Sequence, residues 1–255
     1  MIEPLAVRRS DLEEYAVALG SVCAEVFDDA VSIIWKGSAY KPWDGPYDFL
    51  PGLSDLDVHV YRTAAVLNPW SARRRIFREL GSPPGNTPLQ LMVLDVNRLP
   101  DPWSLFHGGY RVLEGDEPPV AATTPGEVRA RDVRDLGGAA AQAESVAAGV
   151  IDRPDDQLWA YLVRTRWMFP STLNRCATVA GLDPVGVWTM NRTSLLEAVA
   201  GVGELTPVRD AVLSYFEAAL TAGAVPGNGL AAELALRAGH ALLLEADAWF
   251  NRRTG

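Results

Sequence analysis

The chain has 255 residues, 48% of them hydrophobic and 22% charged, enough apolar material to bury the core of one large or two ordinary domains and too much for a disordered chain. Asp and Glu outnumber Lys and Arg by 32 to 23, a net charge of −9, which argues against a protein that grips a nucleic-acid backbone through a broad basic face. No apolar run approaches the roughly 20 residues needed to span a bilayer and no secretory leader pattern is present, so a soluble, cytoplasmic protein with no membrane partner is expected.

Residues 11–30 predict a helix, with Ser10 or Asp11 as cap, Glu13 and Glu14 on its N-terminal dipole, and Leu12, Tyr15, Leu19, Val22 and Val26 as an apolar stripe. Two short apolar runs follow, 31–34 and 58–61, which read as strands joined by a long loop that carries Trp43, Pro42, Pro46, Pro51 and Gly45. That loop opens on Gly37-Ser38 and closes on Asp55-Leu56-Asp57. On an extended chain alternate side chains share a face, so Asp55 and Asp57 present two carboxylates together, tolerable where a cation or a proton is shared between them. Mg2+, which takes one or two carboxylates and completes its shell with water and phosphate oxygens, suits such a pair. Gly37 lets the backbone approach a phosphate, and Ser38 offers a hydroxyl and an N–H. Of the 23 Lys and Arg residues only Lys36 and Lys41 are lysines, and both flank this turn.

Asn68-Pro69 starts a second helix that ends at Gly81, with Ile76, Phe77 and Leu80 inward and the arginines of 73–78 mostly solvated. Residues 89–96 form an apolar run suited to a central strand covered on both faces, interrupted near its end by Asp95. A carboxylate between Leu94 and Val96 needs a partner: a catalytic role or a cap on the turn at Asn97 would each supply one. Residues 110–113 read as a last strand. His107 beside two glycines reads as a turn residue, and His59, on the face of the aspartates, either approaches the cation or is a half-buried strand histidine. Cys23 and Cys176 lie in apolar-periodic segments and read as buried thiols rather than a disulfide.

The composition shifts at 118–125, and past Arg134 the pattern is helical almost to the end, so two domains are expected, 1–135 and 136–255. The second reads as a bundle of five or six helices, with starts at Asp183-Pro184, at Ser194 with Glu197, at Thr206-Pro207 and at Asn228, and with disorder only over 252–255. The fold class expected is α+β: a mixed sheet packed with helices, then an all-α bundle.

Gly37-Ser38-Ala39, then Ser54-Asp55-Leu56-Asp57-Val58, then a strand-borne Asp in Leu91-Met92-Val93-Leu94-Asp95-Val96, resembles the nucleotidyltransferase superfamily of the DNA polymerase beta-like enzymes and the aminoglycoside adenylyltransferases. The resemblance covers about the first half of the chain. It departs in a longer loop between Gly-Ser and Asp55, and in Ala39 where many members carry Arg. It implies Asp55, Asp57 and Asp95 as catalytic and metal-binding, Asp95 taking a metal or serving as base, and Lys36, Gly37, Ser38 and Lys41 around the nucleotide. The reaction implied is Mg2+-dependent transfer of a nucleoside monophosphate, AMP from ATP first, to a hydroxyl of a small molecule such as an aminoglycoside-like antibiotic. Asp44, Asp48, Asp155 and Asp156 are candidates for an acidic acceptor site, and Trp159, Arg164, Arg166, Trp167, Asn174 and Arg175 for a cleft between the domains. A protein or RNA acceptor, as for antitoxin-like members, and a non-catalytic nucleotide-binding module are the alternatives. The sequence does not determine the oligomeric state.

Overall fold

The computed structural model describes residues 7–63, 68–99, 105–119 and 124–255. Residues 120–123, within the composition shift at 118–125, lie outside them. The chain divides into two compact units, Met1–Asp44 with Ser54–Thr123, and Gly45–Leu53 with Thr124–Gly255. The fold is α+β, with a small mixed sheet and a helical majority.

In the first unit helix α1 (Arg9–Val26) precedes strands β1 (Ala30–Lys36) and β2 (Leu56–Arg62), helix α2 (Pro69–Leu80) and strands β3 (Leu89–Asp95) and β4 (Tyr110–Gly115). The sheet order is β3-β2-β1-β4, with β2 and β3 parallel across the α2 crossover and the other pairs antiparallel. Helix α1 begins two residues earlier than expected because Arg8 and Asp11 close its first turn reciprocally. It buries Leu12, Tyr15, Ala16, Leu19 and Cys23, and a Cβ at its Gly20 would come within 2.8 Å of Leu113 on β4. In α2, capped by Asn68 and stopped at Gly81, the inward residues are Ala72 and Ile76. Phe77, expected inside, is exposed, and the Arg73 guanidinium lies 5.2 Å from its ring centroid.

Strand β3 is an edge strand and half-buried along its whole length, whereas β2 is buried at every position. The expectation of a central β3 fails because the last strand pairs with the far edge of β1 and leaves β3 uncovered. Cys23 and Cys176 are free and buried, and burial pushes the Cys23 thiol up to about 12.

The second unit is a bundle of eight α-helices among the described residues: α3 (Pro125–Gly137), α4 (Ala139–Ile151), α5 (Asp155–Thr165), α6 (Pro170–Ala180), α7 (Pro184–Thr189), α8 (Arg192–Ala200), α9 (Thr206–Ala224) and α10 (Gly229–Thr254). The unit begins at Thr124 rather than 136, because residue 135 lies inside α3, whose start is a Thr124/Glu127 capping box. Helix α8 starts at Arg192 on an Asn191 cap, so Ser194, expected as the cap, donates its N–H to Asn191 at 2.8 Å. Residues 252–254, expected to be disordered, complete the last turn of α10.

Residues 45–53, from the middle of the long loop, belong to this bundle. Leu50 and Leu53 join its apolar core, and Tyr47 stacks on Phe216 with ring centroids 5.5 Å apart. Asp48, only 2% exposed, accepts from the Thr193 N–H and hydroxyl, each at 2.9 Å, and from the Gly45 N–H at 2.8 Å. The Arg192 guanidinium donates to the Tyr47 carbonyl at 2.8 Å. Gly223 on α9 has no Cβ where one would meet the Pro51 carbonyl oxygen at 2.2 Å. Asp48 is therefore a buried structural acceptor and no part of an acidic surface. Replacing it with Ala leaves the Thr193 donors without their acceptor and should cost about 1–3 kcal/mol of stability. Urea denaturation measures that loss, and limited proteolysis should cut within 45–53 in the variant before the wild type.

Candidate nucleotide-binding site

Strand β1 ends at Lys36, and Gly37 turns the chain out of the sheet with φ +80°. A Cβ there would sit 3.3 Å from the Asp57 Cβ and 3.5 Å from its Oδ2. Glycine is thus required twice, for the left-handed backbone and for the close approach to a carboxylate. The turn that follows is pinned from several sides. The Lys41 N–H reaches the Gly37 carbonyl at 3.2 Å, the Trp43 Nε1–H reaches the Ser38 carbonyl at 2.9 Å, and Arg9 on α1 donates to the Tyr40 and Lys41 carbonyls. Ala39, where many members of the resembling family carry Arg, is fully buried, so the position has no room for a guanidinium.

Asp57 stands directly across from Lys36 in the β1/β2 register, and the Lys36 Nζ lies 2.6 Å from its Oδ2. Its Oδ1 lies 3.1 Å from the His59 Nε2, an approach off the line of a good hydrogen bond. The His59 Nδ1 is 3.4 Å from the Tyr61 hydroxyl. Alternation along β2 puts 57, 59 and 61 on one face, making a chain of polar groups that runs inward from the strand end. Burial alone would push the Asp57 carboxyl up, but the Lys36 ammonium and the His59 contact outweigh it and hold it below the ordinary carboxylate range. Burial, opposed by Asp57 and aided by Lys36, pushes His59 down, so the ring is neutral near pH 7. His59 is thus a fully buried strand histidine held by its neighbours.

Asp55, half-buried, lies just before β2, separated from Asp57 by the buried Leu56, whose N–H donates to the Pro88 carbonyl at 2.9 Å. Asp95 is not brought to this pair. In the parallel β2/β3 register Gln90 stands opposite Asp57 and Asp95 opposite Arg62, five residues further along, or about 16 Å at the rise of a strand. The odd spacing also assigns it to the other face. Its Oδ1 accepts from the Asn97 N–H at 2.9 Å and Nδ2 at 3.1 Å, the cap on a short 3-10 turn. Among the described residues no group of three or more His, Cys, Asp and Glu side chains is placed to hold a metal ion.

Tyr110 escaped the sequence reading. It faces Lys36 across β1 and β4, and its hydroxyl donates to Glu117 at 2.6 Å and lies 3.3 Å from the His107 Nδ1. Only pairing of β4 with β1 places it there, and no local motif signals that. In the second unit Trp159 packs on the bundle core, Asn174 donates to the Val187 carbonyl at 2.9 Å, Arg175 pairs with Asp135 at 3.0 Å, and Arg166 donates to the Val163 carbonyl. Arg164 and Trp167 line a cleft within the bundle.

Comparison of the chain with known protein families and with curated proteins finds no match. Among the described residues no helix is long and apolar enough to cross a membrane.

Two outcomes follow from this geometry. Gly37→Ala should cost about 1–3 kcal/mol through its left-handed backbone, seen as a lower midpoint in thermal unfolding. His59, neutral in the fold, takes up a proton when unfolded, so stability should fall as pH drops below about 6.5, by up to about 1.4 kcal/mol per pH unit until its folded pKa is reached. Asp57 adds a second loss below about pH 4, where the unfolded carboxyl protonates first. Urea midpoints between pH 8 and 3 should show both losses in the wild type, and only the lower one in His59→Gln.

Proposed function

We propose that the sheet unit is a Mg2+-dependent nucleotidyltransferase that moves a nucleoside monophosphate, AMP from ATP first, to a hydroxyl of a small molecule. The observation that carries this reading is the left-handed Gly37 turn closing onto Asp57, with Asp55 two residues before it. The donor set fits one hard cation shared with phosphate oxygens, since Mg2+ ordinarily takes one or two carboxylates from a protein. It does not fit a three-carboxylate centre, because Asp95 caps its own turn. Asp55 and Asp57 would hold the ion, which supplies charge stabilisation to the phosphates of the donor.

The chain's own groups supply the rest. The Gly37 and Ser38 N–H groups and the Ser38 hydroxyl are donors for phosphate oxygens where no Cβ intrudes. Lys36 neutralises Asp57 across the strand pair and, with Lys41, places positive charge beside the turn. The net charge of −9 favours a small-molecule acceptor over a nucleic acid. In this proposal Asp95 has no part in the chemistry.

A second reading, a nucleotide-binding module without transfer, is favoured by the same Lys36–Asp57 ion pair, which satisfies the carboxylate inside the protein. Thermal stability with each nucleoside triphosphate, with and without Mg2+, on the wild type and on Asp55→Asn separates the two. A native-state ligand at a hundredfold excess over its Kd should stabilise by about 2.7 kcal/mol. Transfer predicts stabilisation that needs Mg2+ and is lost in Asp55→Asn, with pyrophosphate released once an acceptor is found. Stabilisation indifferent to Mg2+ favours the binding module, and no shift with any triphosphate removes both readings.

A further inference from the structure

The helical unit contains an open cleft of about 410 Å³ lined by Ser145 and Gly149 of α4, Tyr161, Arg164 and Thr165 of α5, and Arg153 of the connection between them, with Trp167 and Met168 in the short 3-10 turn after α5. Tyr161 owes its place in that lining to a neighbouring glycine. A Cβ at Gly149 would come within 2.0 Å of the Tyr161 hydroxyl, so glycine is what lets the ring lie across α4, where its hydroxyl donates to the Ser145 carbonyl at 3.1 Å.

The Arg153 guanidinium lies over that ring, 4.5 Å from its centroid. Its Nε is buried and meets no hydrogen-bond acceptor. A buried donor of a charged group left without an acceptor costs more than an ordinary unmade hydrogen bond, and other atoms of the same side chain line the cleft. Arg164, which also lines the cleft, has no carboxylate within ion-pair distance among the described residues. Elsewhere in the unit Arg131, Arg175, Arg237 and Arg253 each lie within 4.0 Å of one. In a chain with more acidic than basic residues, two arginines on one cleft without acidic partners mark a place kept positive. Beside them Trp167 is 60% exposed, a large ring left in solvent at the cleft mouth.

We propose that this cleft is a binding site for a small oxyanion, phosphate monoester or carboxylate, carried on a flat ring: Arg153 and Arg164 take the oxyanion, and Trp167 stacks on the ring. The site belongs to the helical unit alone and does not depend on the reading of the sheet unit.

Titration of the full chain by calorimetry with phenyl phosphate, benzoate and inorganic phosphate tests it. Saturable binding of phenyl phosphate or benzoate is expected, tighter than that of inorganic phosphate, and the better of the two names the oxyanion. Arg153→Gln and Arg164→Gln should each weaken it at least tenfold, and Trp167→Ala should bring the ring-bearing ligand down to the level of inorganic phosphate. Because Arg153 also packs on Tyr161, the exposed Arg164→Gln is the variant that keeps the fold, checked by an unchanged unfolding midpoint. No saturable binding of any of the three, or binding that neither arginine variant moves, overturns the site; equal affinity for inorganic phosphate and phenyl phosphate overturns its ring-binding part.

Discussion

The ion pair between Lys36 and Asp57 is the constraint on which the sheet unit depends. Asp57 is 7% exposed, and a carboxylate so far from water is ionised chiefly because an ammonium sits 2.6 Å away across the strand pair, aided by His59. The pair lies at the last register position of β1 and β2, so it also sets where β1 ends and the Gly37 turn begins. Taking away either partner would leave an uncompensated buried charge, a loss of about 3–5 kcal/mol by comparison with other buried pairs. Net stabilisation is a lesser matter, since a pair of apolar residues could do as well. What the ions specify is geometry: one register, one turn, and one carboxylate held charged against a backbone free of side-chain bulk.

From that fixed point the polar chain continues inward to His59 and Tyr61, while the same face of the sheet becomes apolar around Ile34, Tyr61, Leu105 and Tyr110. The neutral His59 ring lies between a charge on one side and a hydroxyl on the other. A tautomer with its proton on Nε2 suits both neighbours, donating toward Asp57 and accepting from Tyr61.

Local signals in the sequence locate much of this. Alternation reads β2, the 3.6-residue stripe reads α1, and Asn68-Pro69 with Gly81 brackets α2 to the residue. Gly37-Ser38 and Asp57 are legible because the turn and the strand that carry them are adjacent in the fold. Asp95 shows the limit. Its type and its strand are readable, but its distance from Asp57 depends on the register of a parallel pair, which no residue near it encodes. The edge position of β3 is hidden for the same reason, since it follows from where β4 pairs. Phe77 has the spacing of an inward residue, and it is outside because Arg73 covers it and the core beneath α2 is filled by Ala72 and Ile76. Composition alone misplaces residues 45–53: a stretch with two Pro and two Gly looks like an exposed loop, yet Asp48, Leu50 and Leu53 are all buried.

That stretch gives the bundle a discontinuous origin in the chain. Asp48 and Thr193 are 145 residues apart in sequence, so the segment leaves a ribosome long before the helices that receive it exist. At a synthesis rate of about 5–20 residues per second, Leu50 and Leu53 wait for seconds with apolar surfaces unsatisfied. The sheet unit, meanwhile, has its two parts joined through that waiting segment. The N-terminal half of the chain therefore cannot mature as an isolated beginning: the connection between β1 and β2 becomes ordered only when α8 and α9 arrive, which ties its completion to synthesis of the second unit.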